Sequence, residues 1–201
     1  MMVKICGITN REDAAAAVEA GASAIGLNFY RNSPRYVSPT GAAMIADKVP
    51  AGVLKVGVFV DEHPDSIARI ALQTGLDVAQ LHGDSSCSTL PVWRSLPIRE
   101  AMEVGWFADD EAEAFLLDTP SGELRGGTGK TFRWALAREA GQLTSKKIIV
   151  AGGLDETNVQ QAIEEARPWG VDVCSRIESE PGRKDHAKMR KFIQAALAMN
   201  L

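Results

Sequence analysis

The chain lacks several features that would assign it quickly. Cysteine is scarce: Cys6, Cys87 and Cys174 are the only three in 201 residues, widely separated and free of any CxxC spacing. An odd, dispersed set suggests neither a disulfide framework nor a zinc site, and free thiols fit a reducing cytoplasm. Long apolar runs are missing too. No segment approaches the roughly 20 apolar residues that span a bilayer, and MMVKICGITN lacks the apolar core of a signal peptide, so neither export nor membrane embedding is expected. Basic charge is not in excess, since 22 Lys and Arg face 26 Asp and Glu for a net charge of −4. That balance offers no electropositive footprint of the kind a phosphate backbone demands, which excludes nucleic acid as the main partner.

What is present is a composition 45% hydrophobic and 24% charged, enough for one globular domain over residues 1–201 with a sizeable core. Short β-branched runs alternate with helix-like stretches from end to end. VKIC (3–6) precedes REDAAAAVEAG, AIGLNF (24–29) precedes PTGAAMIADKV, LKVGVFV (54–60) precedes DEHPDSIARIALQTG, and DVAQLHG (77–83) precedes a short SSCSTLPVWRS. PIREAMEV (97–104) reads as the fifth strand, and only WFADDEAE separates it from FLLD (115–118). That spacing predicts an irregular connection, with the fifth crossover helix short or missing. FLLD with FRWALAREAG, KIIVAGG (147–153) with DETNVQQAIEEARP, and GVDVCSR (170–176) with KDHAKMRKFIQAALAM complete eight units. Gly21, Gly75 and Gly141 stand where C-cap glycines belong, and Asp155 and Thr157 can serve the N-cap region of the seventh helix. Eight βα units in this length predict a compact (β/α)8 TIM barrel, with an open doubly wound sheet as the alternative.

Barrels of this kind carry their active sites at the C-terminal ends of the strands. Alternation along VKIC turns Val3 and Ile5 toward the helices and Lys4 and Cys6 toward the axis, which places Cys6 at the rim. A buried cysteine often serves only as a small hydrophobe. An inward Lys4 beneath it would instead favour the thiolate, unless Lys4 pairs with an inward carboxylate such as Asp172 on strand eight. The phase of FLLD likewise sends Leu116 and Asp118 inward and leaves a carboxyl at the strand end. Taken alone, Asp118 reads as a loop-bracing carboxylate or as an acid facing a thiolate base.

Arg35, in the polar loop NSPRYVSP after strand two, has the fork geometry to clamp a carboxylate, though an exposed arginine is more often simply solvated. Gln80, His82 and Asp172 point inward and either touch a substrate or satisfy a buried polar network. Gly152 and Gly153 of AGGL, with Cys174, Ser175 and Arg176 of CSR, follow strands seven and eight, where barrels bind phosphate through backbone N–H groups. A glycine pair is also a common plain turn. RGGTGKTFRW, which contains Gly127, approaches a nucleotide-binding P-loop, but that pattern needs a glycine five residues before Gly129 and Leu124 stands there. His63 and His186 lie in helix-start segments and read as structural or solvated. With Cys, His and carboxylates at no ligand spacing, no metal is indicated.

In order along the whole chain, KICGIT, SPRYVSP, VGVFV, QLHG, LLDT, GGTGKTFRW, VAGGL and PGRKDH resemble the phosphoribosylanthranilate isomerase family of tryptophan biosynthesis. KICGIT combined with LLDT followed by GGTGKTF is the specific part of the match. The resemblance implies a cytoplasmic single-domain (β/α)8 barrel that needs no cofactor or metal and takes a small phosphosugar–anthranilate substrate; it allows monomers and dimers, of which the monomer is expected here. It implies an Amadori rearrangement of N-(5-phosphoribosyl)anthranilate to 1-(2-carboxyphenylamino)-1-deoxyribulose 5-phosphate. Asp118 would be the general acid that protonates the furanose ring oxygen, and Cys6, as thiolate, the base that takes the proton from C2. Arg35 would hold the anthranilate carboxylate, His82 would lie near the substrate, and Gly152, Gly153, Ser175 and Arg176 would receive the phosphate. Lys4, Gln80, Gly127 and Asp172 would support them. An acid and a base on either side of a bound sugar are what aldose-to-ketose chemistry needs.

Two places depart from the family pattern. CSRIE stands where the family has a sequence close to SSGVE, so Cys174 and Arg176 replace Ser and Gly, and Arg133 replaces an acidic residue at a helix start. The competing readings are a dual-substrate histidine and tryptophan isomerase with two carboxylates, against which Cys6 argues, and a catalytically silent scaffold barrel.

Overall fold

A computed structural model describes residues 1–98, 104–108, 111–119 and 133–199. The apolar runs form eight strands: β1 Met2–Ile5, β2 Ala24–Asn28, β3 Leu54–Val60, β4 Val78–His82, β5 Val92–Pro97, β6 Ala112–Asp118, β7 Lys147–Val150 and β8 Gly170–Val173. They pair in chain order, all parallel, and β8 returns to β1 to close the barrel. Closure removes the open-sheet alternative.

Period-two alternation divides the core into two layers. Met2, Ala24, Val56, Val78, Trp93, Leu116 and Ile149 pack together in the barrel interior. Their neighbours in sequence, among them Val3, Ile5, Leu27, Phe59, Phe115 and Val150, pack outward with Ile67, Ile163 and Phe192 of the helices. Each fully buried Ile, Leu or Phe contributes about 1.5–3 kcal/mol, so the shell between sheet and helices supplies most of the driving force.

The helices among the described residues are α1 Arg11–Glu19, α2 Pro39–Ala46, α3 Pro64–Thr74, α4 Ala135–Leu143, α5 Val159–Ala166 and α6 His186–Leu197. Side chains fix several starts. Asn10 accepts from the Asp13 amide, Ser38 from Gly41, and Asp185 from Ala187 and Lys188. Gly75 ends α3 in the left-handed conformation, as the sequence predicts, whereas Gly141 lies inside α4, which runs on to Leu143. Asp155 caps the Thr157 amide in the turn ahead of α5, one step earlier than the helix itself.

The irregular part of the barrel differs from expectation in position. VWRSLP, not PIREAMEV, is the fifth strand, and residues 83–91 join β4 to β5 with no helix. A connection this short is below the dozen or so residues a parallel crossover helix requires. Residues 99–103 of the expected strand lie outside the described residues. Between β5 and β6 the described residues hold one 3-10 turn, Val104–Phe107. After β8, a short 3-10 helix Ser175–Ile177 leads into a small antiparallel pair, β9 Glu178–Glu180 and β10 Arg183–Lys184, which folds back over the C-terminal mouth.

Candidate active site

The C-terminal ends of the strands enclose a cavity of about 270 Å³ lined by Cys6, Asn28, Tyr30, Arg35, Val58, Val60, Gln80, His82, Asp118, Asp172 and Cys174, with Asn32, Ser33 and Pro34 at its edge. Strand phase brings Cys6, Gln80, His82, Asp118 and Asp172 into one space, as the sequence predicts, and the loop after β2 adds Arg35.

Lys4 forms the floor. It is fully buried and paired with Asp172, Nζ to Oδ1 2.8 Å, because the β1/β8 register sets these two residues opposite each other. Of the two arrangements the sequence leaves open for Lys4, the ion pair with Asp172 is the one formed. Burial opposes its charge, but Asp172 and the nearby Cys6 outweigh burial and hold the ammonium pKa above its ordinary value.

Cys6 stands above Lys4 and is 8% exposed. Space for it comes from the inward Gly26 on β2: a Cβ there would lie 2.8 Å from Cys6 Sγ and 3.2 Å from Lys4 Cε. The neighbouring thiol of Cys174, together with burial, pushes the Cys6 pKa well up, although Lys4 acts in the opposite direction. Cys174 goes the other way. The neighbouring Cys6, helped by Lys184 and Arg35 against the cost of burial, brings its pKa down to about 7.

Asp118 ends β6. Burial and the negative charge of Asp172 push its pKa up to about 7 despite a backbone hydrogen bond at Thr119. A carboxyl that keeps its proton near neutrality is able to act as an acid there. Its floor is Gly152, at φ +80, where an added Cβ would meet the Asp118 carboxyl at 2.7 Å and collide with Thr119. Gly153 is also left-handed, and its carbonyl accepts from Asn158. Ser175 and Arg176 lie on the 3-10 helix after β8. Gly152, Gly153, Ser175 and Arg176 are outside the residues that line the cavity wall. Gly127 lies outside the described residues.

Arg35 grips a carboxylate already present in the protein: Nε and Nη2 bond to the two oxygens of Glu178 at 2.9 and 2.7 Å. Glu178 also accepts from Lys184 Nζ at 2.9 Å. Its burial is outweighed by these two cations, so its pKa is lowered, while the Glu178 bonds raise that of Arg35. Two of the five guanidinium N–H donors serve Glu178, and the fork is oriented by it. On the opposite wall Gln80 Nε2 lies 3.0 Å from His82 Nε2. Gln80 is 3% exposed, and its Oε1 is buried with no hydrogen-bond partner. Of the other histidines, His63 caps α3 and His186 pairs with Asp13 at 2.8 Å, both structural as the sequence suggests.

Sequence reading does not find Glu178, Lys184 or Gly26, nor Cys174 as a neighbour of Cys6. The phase of β2 could have pointed to Gly26. Glu178 and Lys184 reach the site only through the fold-back of β9 and β10, which leaves no periodic signal.

Comparison with known proteins places this geometry. The family model described as N-(5'phosphoribosyl)anthranilate (PRA) isomerase matches residues 3–195. The chain belongs to this family. It is 50% identical, over 98% of each chain, to the N-(5'-phosphoribosyl)anthranilate isomerase of Solibacter usitatus. The solved structure of the Thermus thermophilus family member superposes with a TM-score of 0.88 at 32% identity, covering all of both chains. A second family structure, a complex with reduced 1-(o-carboxyphenylamino)-1-deoxyribulose 5-phosphate, gives a TM-score of 0.83 at 34% identity and covers 99% of this chain and 100% of its own. The tryptophan-pathway isomerase family and the eight-stranded barrel expected from the sequence motifs both hold.

Proposed function

We propose that this chain, acting as one catalytic barrel, isomerises N-(5'-phosphoribosyl)anthranilate to 1-(o-carboxyphenylamino)-1-deoxyribulose 5-phosphate, with Asp118 as general acid and Cys6 as general base. The observation that carries this reading is the pairing, in one cavity, of a carboxyl whose pKa is raised to about 7 with a cysteine that, as thiolate, can take a carbon-bound proton. Asp118 donates its proton to the furanose ring oxygen, and the nitrogen lone pair opens the ring to an iminium. Cys6 then removes the proton from C2, and the enolamine tautomerises to the ketone. Positioned acid–base groups of this kind contribute about 10²–10⁴-fold each.

Arg35, oriented by Glu178, offers its remaining N–H donors to the anthranilate carboxylate. His82 and the unpartnered Gln80 Oε1 face the sugar from the β4 side. The left-handed backbone at Gly152 and Gly153, with Ser175 and Arg176, receives the phosphate. Lys4 and Asp172 support Cys6 from below. Three free thiols suit a reducing cytoplasm, and no helix among the described residues is long and apolar enough to cross a membrane. We take the working unit to be the monomer, since the cavity that holds Cys6, Arg35 and Asp118 lies within a single barrel.

The test is to generate the phosphoribosylated anthranilate in situ, follow loss of its anthranilate fluorescence, and identify the ketose product by chromatography. Stoichiometric formation of the aminoketose is expected. Absence of turnover by the folded protein would favour a silent barrel.

A further inference from the structure

We propose that Cys6 and Cys174 form one acid–base unit that shares a single proton, with Cys174 accepting the proton of Cys6 when Cys6 is required as the base. This rests on the acid–base reading above and adds Cys174 to it as a positioning residue, one that acts through Cys6.

The geometry brings the two thiols together. Ile5 and Val173 are register partners on neighbouring strands, and the Cys6 amide donates to the Val173 carbonyl at 2.9 Å, so Cys6 and Cys174 are the next residues on each. Both line the cavity, each one step beyond the register partners Ile5 and Val173. Gly7 keeps the space open, since a Cβ there would come within 3.0 Å of Cys174 Sγ.

The charges around the pair decide which thiol ionises first. Among the described residues the groups facing it are Lys4 and Asp172 beneath, Asp118 on β6, and Arg35, Glu178 and Lys184 beside Cys174. Lys4 is matched by Asp172. Glu178 alone is shared by Arg35 and Lys184. With Asp118 in its acid form, three cations face two carboxylates, and the uncompensated positive charge lies on the Cys174 side. Lys184 Nζ is fully buried and 4.0 Å from Cys174 Sγ. One thiolate completes the charge balance, and it forms at Cys174, as the opposed directions of the two thiol pKa values agree.

The proton balance then runs in two steps. The Cys6 S–H proton passes to the neighbouring Cys174 thiolate, leaving a Cys6 thiolate and a neutral Cys174. That Cys6 thiolate takes the C2 proton, and the C2–H electron pair becomes the enolamine double bond. Two coupled thiols titrate as a pair, the first proton leaving more easily and the second less easily than from either thiol alone. A serine in place of Cys174 can hydrogen-bond but does not ionise in this range.

The experiment compares wild type with Cys174→Ser by iodoacetamide alkylation against pH, with adducts assigned by peptide mapping so that Cys87 is counted separately, and by the pH profile of kcat/KM. In wild type one adduct per cavity is expected to form with a midpoint near the first ionisation, the second thiol resisting until well above an ordinary thiol pKa. In Cys174→Ser the remaining Cys6 is expected to ionise between these limits. The acidic limb of kcat/KM moves up by about one pH unit, a roughly tenfold loss at neutrality that is regained at higher pH. An acidic limb that coincides with that of wild type, or a Cys6 alkylation profile unchanged by Cys174→Ser, overturns the shared proton while leaving Cys6 as base. Wild-type turnover by Cys6→Ser would instead overturn the base assignment, and this proposal with it.

Discussion

Lys4 and Asp172, 168 positions apart in sequence, meet at 2.8 Å across the seam where β8 closes onto β1. The pair is sealed from solvent on the lysine side and 9% exposed on the carboxylate side. Lys4→Met strands the Asp172 carboxylate and is expected to cost about 3–5 kcal/mol in urea unfolding, whereas Lys4→Met with Asp172→Leu recovers most of that loss. The raised Lys4 pKa keeps the pair intact below the unfolded value of roughly 10.4, with its contribution lost only as pH rises past the folded one. A double variant as unstable as the single would contradict the pairing.

Asp118 holds its proton to about pH 7 in the folded protein, against roughly 3.9 in an unfolded chain. The unfolded state therefore ionises first, and wild type loses stability as pH rises between those values. Asp118→Asn escapes this penalty. It is expected to be more stable than wild type by on the order of 1–3 kcal/mol near pH 8 and close to it near pH 4, as urea unfolding at the two pH values will show. A difference that does not vary with pH would contradict the raised pKa.

Glu178 ties Arg35 to Lys184, and its pKa is lowered on folding. Its contribution is present above the unfolded glutamate value of about 4.3 and is lost as pH falls through the folded one. Glu178→Gln is expected to be less stable than wild type at neutrality by about 1.5–3 kcal/mol, the loss of a charge-assisted bond, with the gap closing in acid. Because Arg35 loses its orientation, KM should rise more than kcat falls. An unchanged KM would detach Arg35 from substrate binding.

Gly26 makes room for the base. An added Cβ would press on the Cys6 backbone as well as its sulfur, at 3.1 and 2.8 Å. Gly26→Ala is expected to cost about 1–3 kcal/mol in stability, as overpacking does, and to lower kcat with KM little changed. Wild-type kcat in a folded Gly26→Ala protein would mean that Cys6 does not depend on this space.

The sequence exposes what period-two alternation and strand ends control. Cys6, Gln80, His82, Asp118 and Asp172 could be aimed at one mouth because inward phase survives translation into a closed barrel. The fifth strand was obscured because neither VWRSLP nor PIREAMEV alternates cleanly; VWRSLP is the segment that pairs with β4 and β6, its Trp93 buried against Trp169 at 5.9 Å between ring centroids. Glu178 and Lys184 carry no local signal, since a short fold-back delivers them, so the partner of Arg35 and the environment of Cys174 had to be seen in three dimensions.

The most direct test of the account is kcat for isomerisation by Cys6→Ala and Asp118→Asn, each shown to be folded, measured by loss of anthranilate fluorescence beside wild type. Each is expected to fall by at least about 10²-fold with a smaller change in KM. If either variant retained kcat within about tenfold of wild type, that group would not be the acid or base of this barrel.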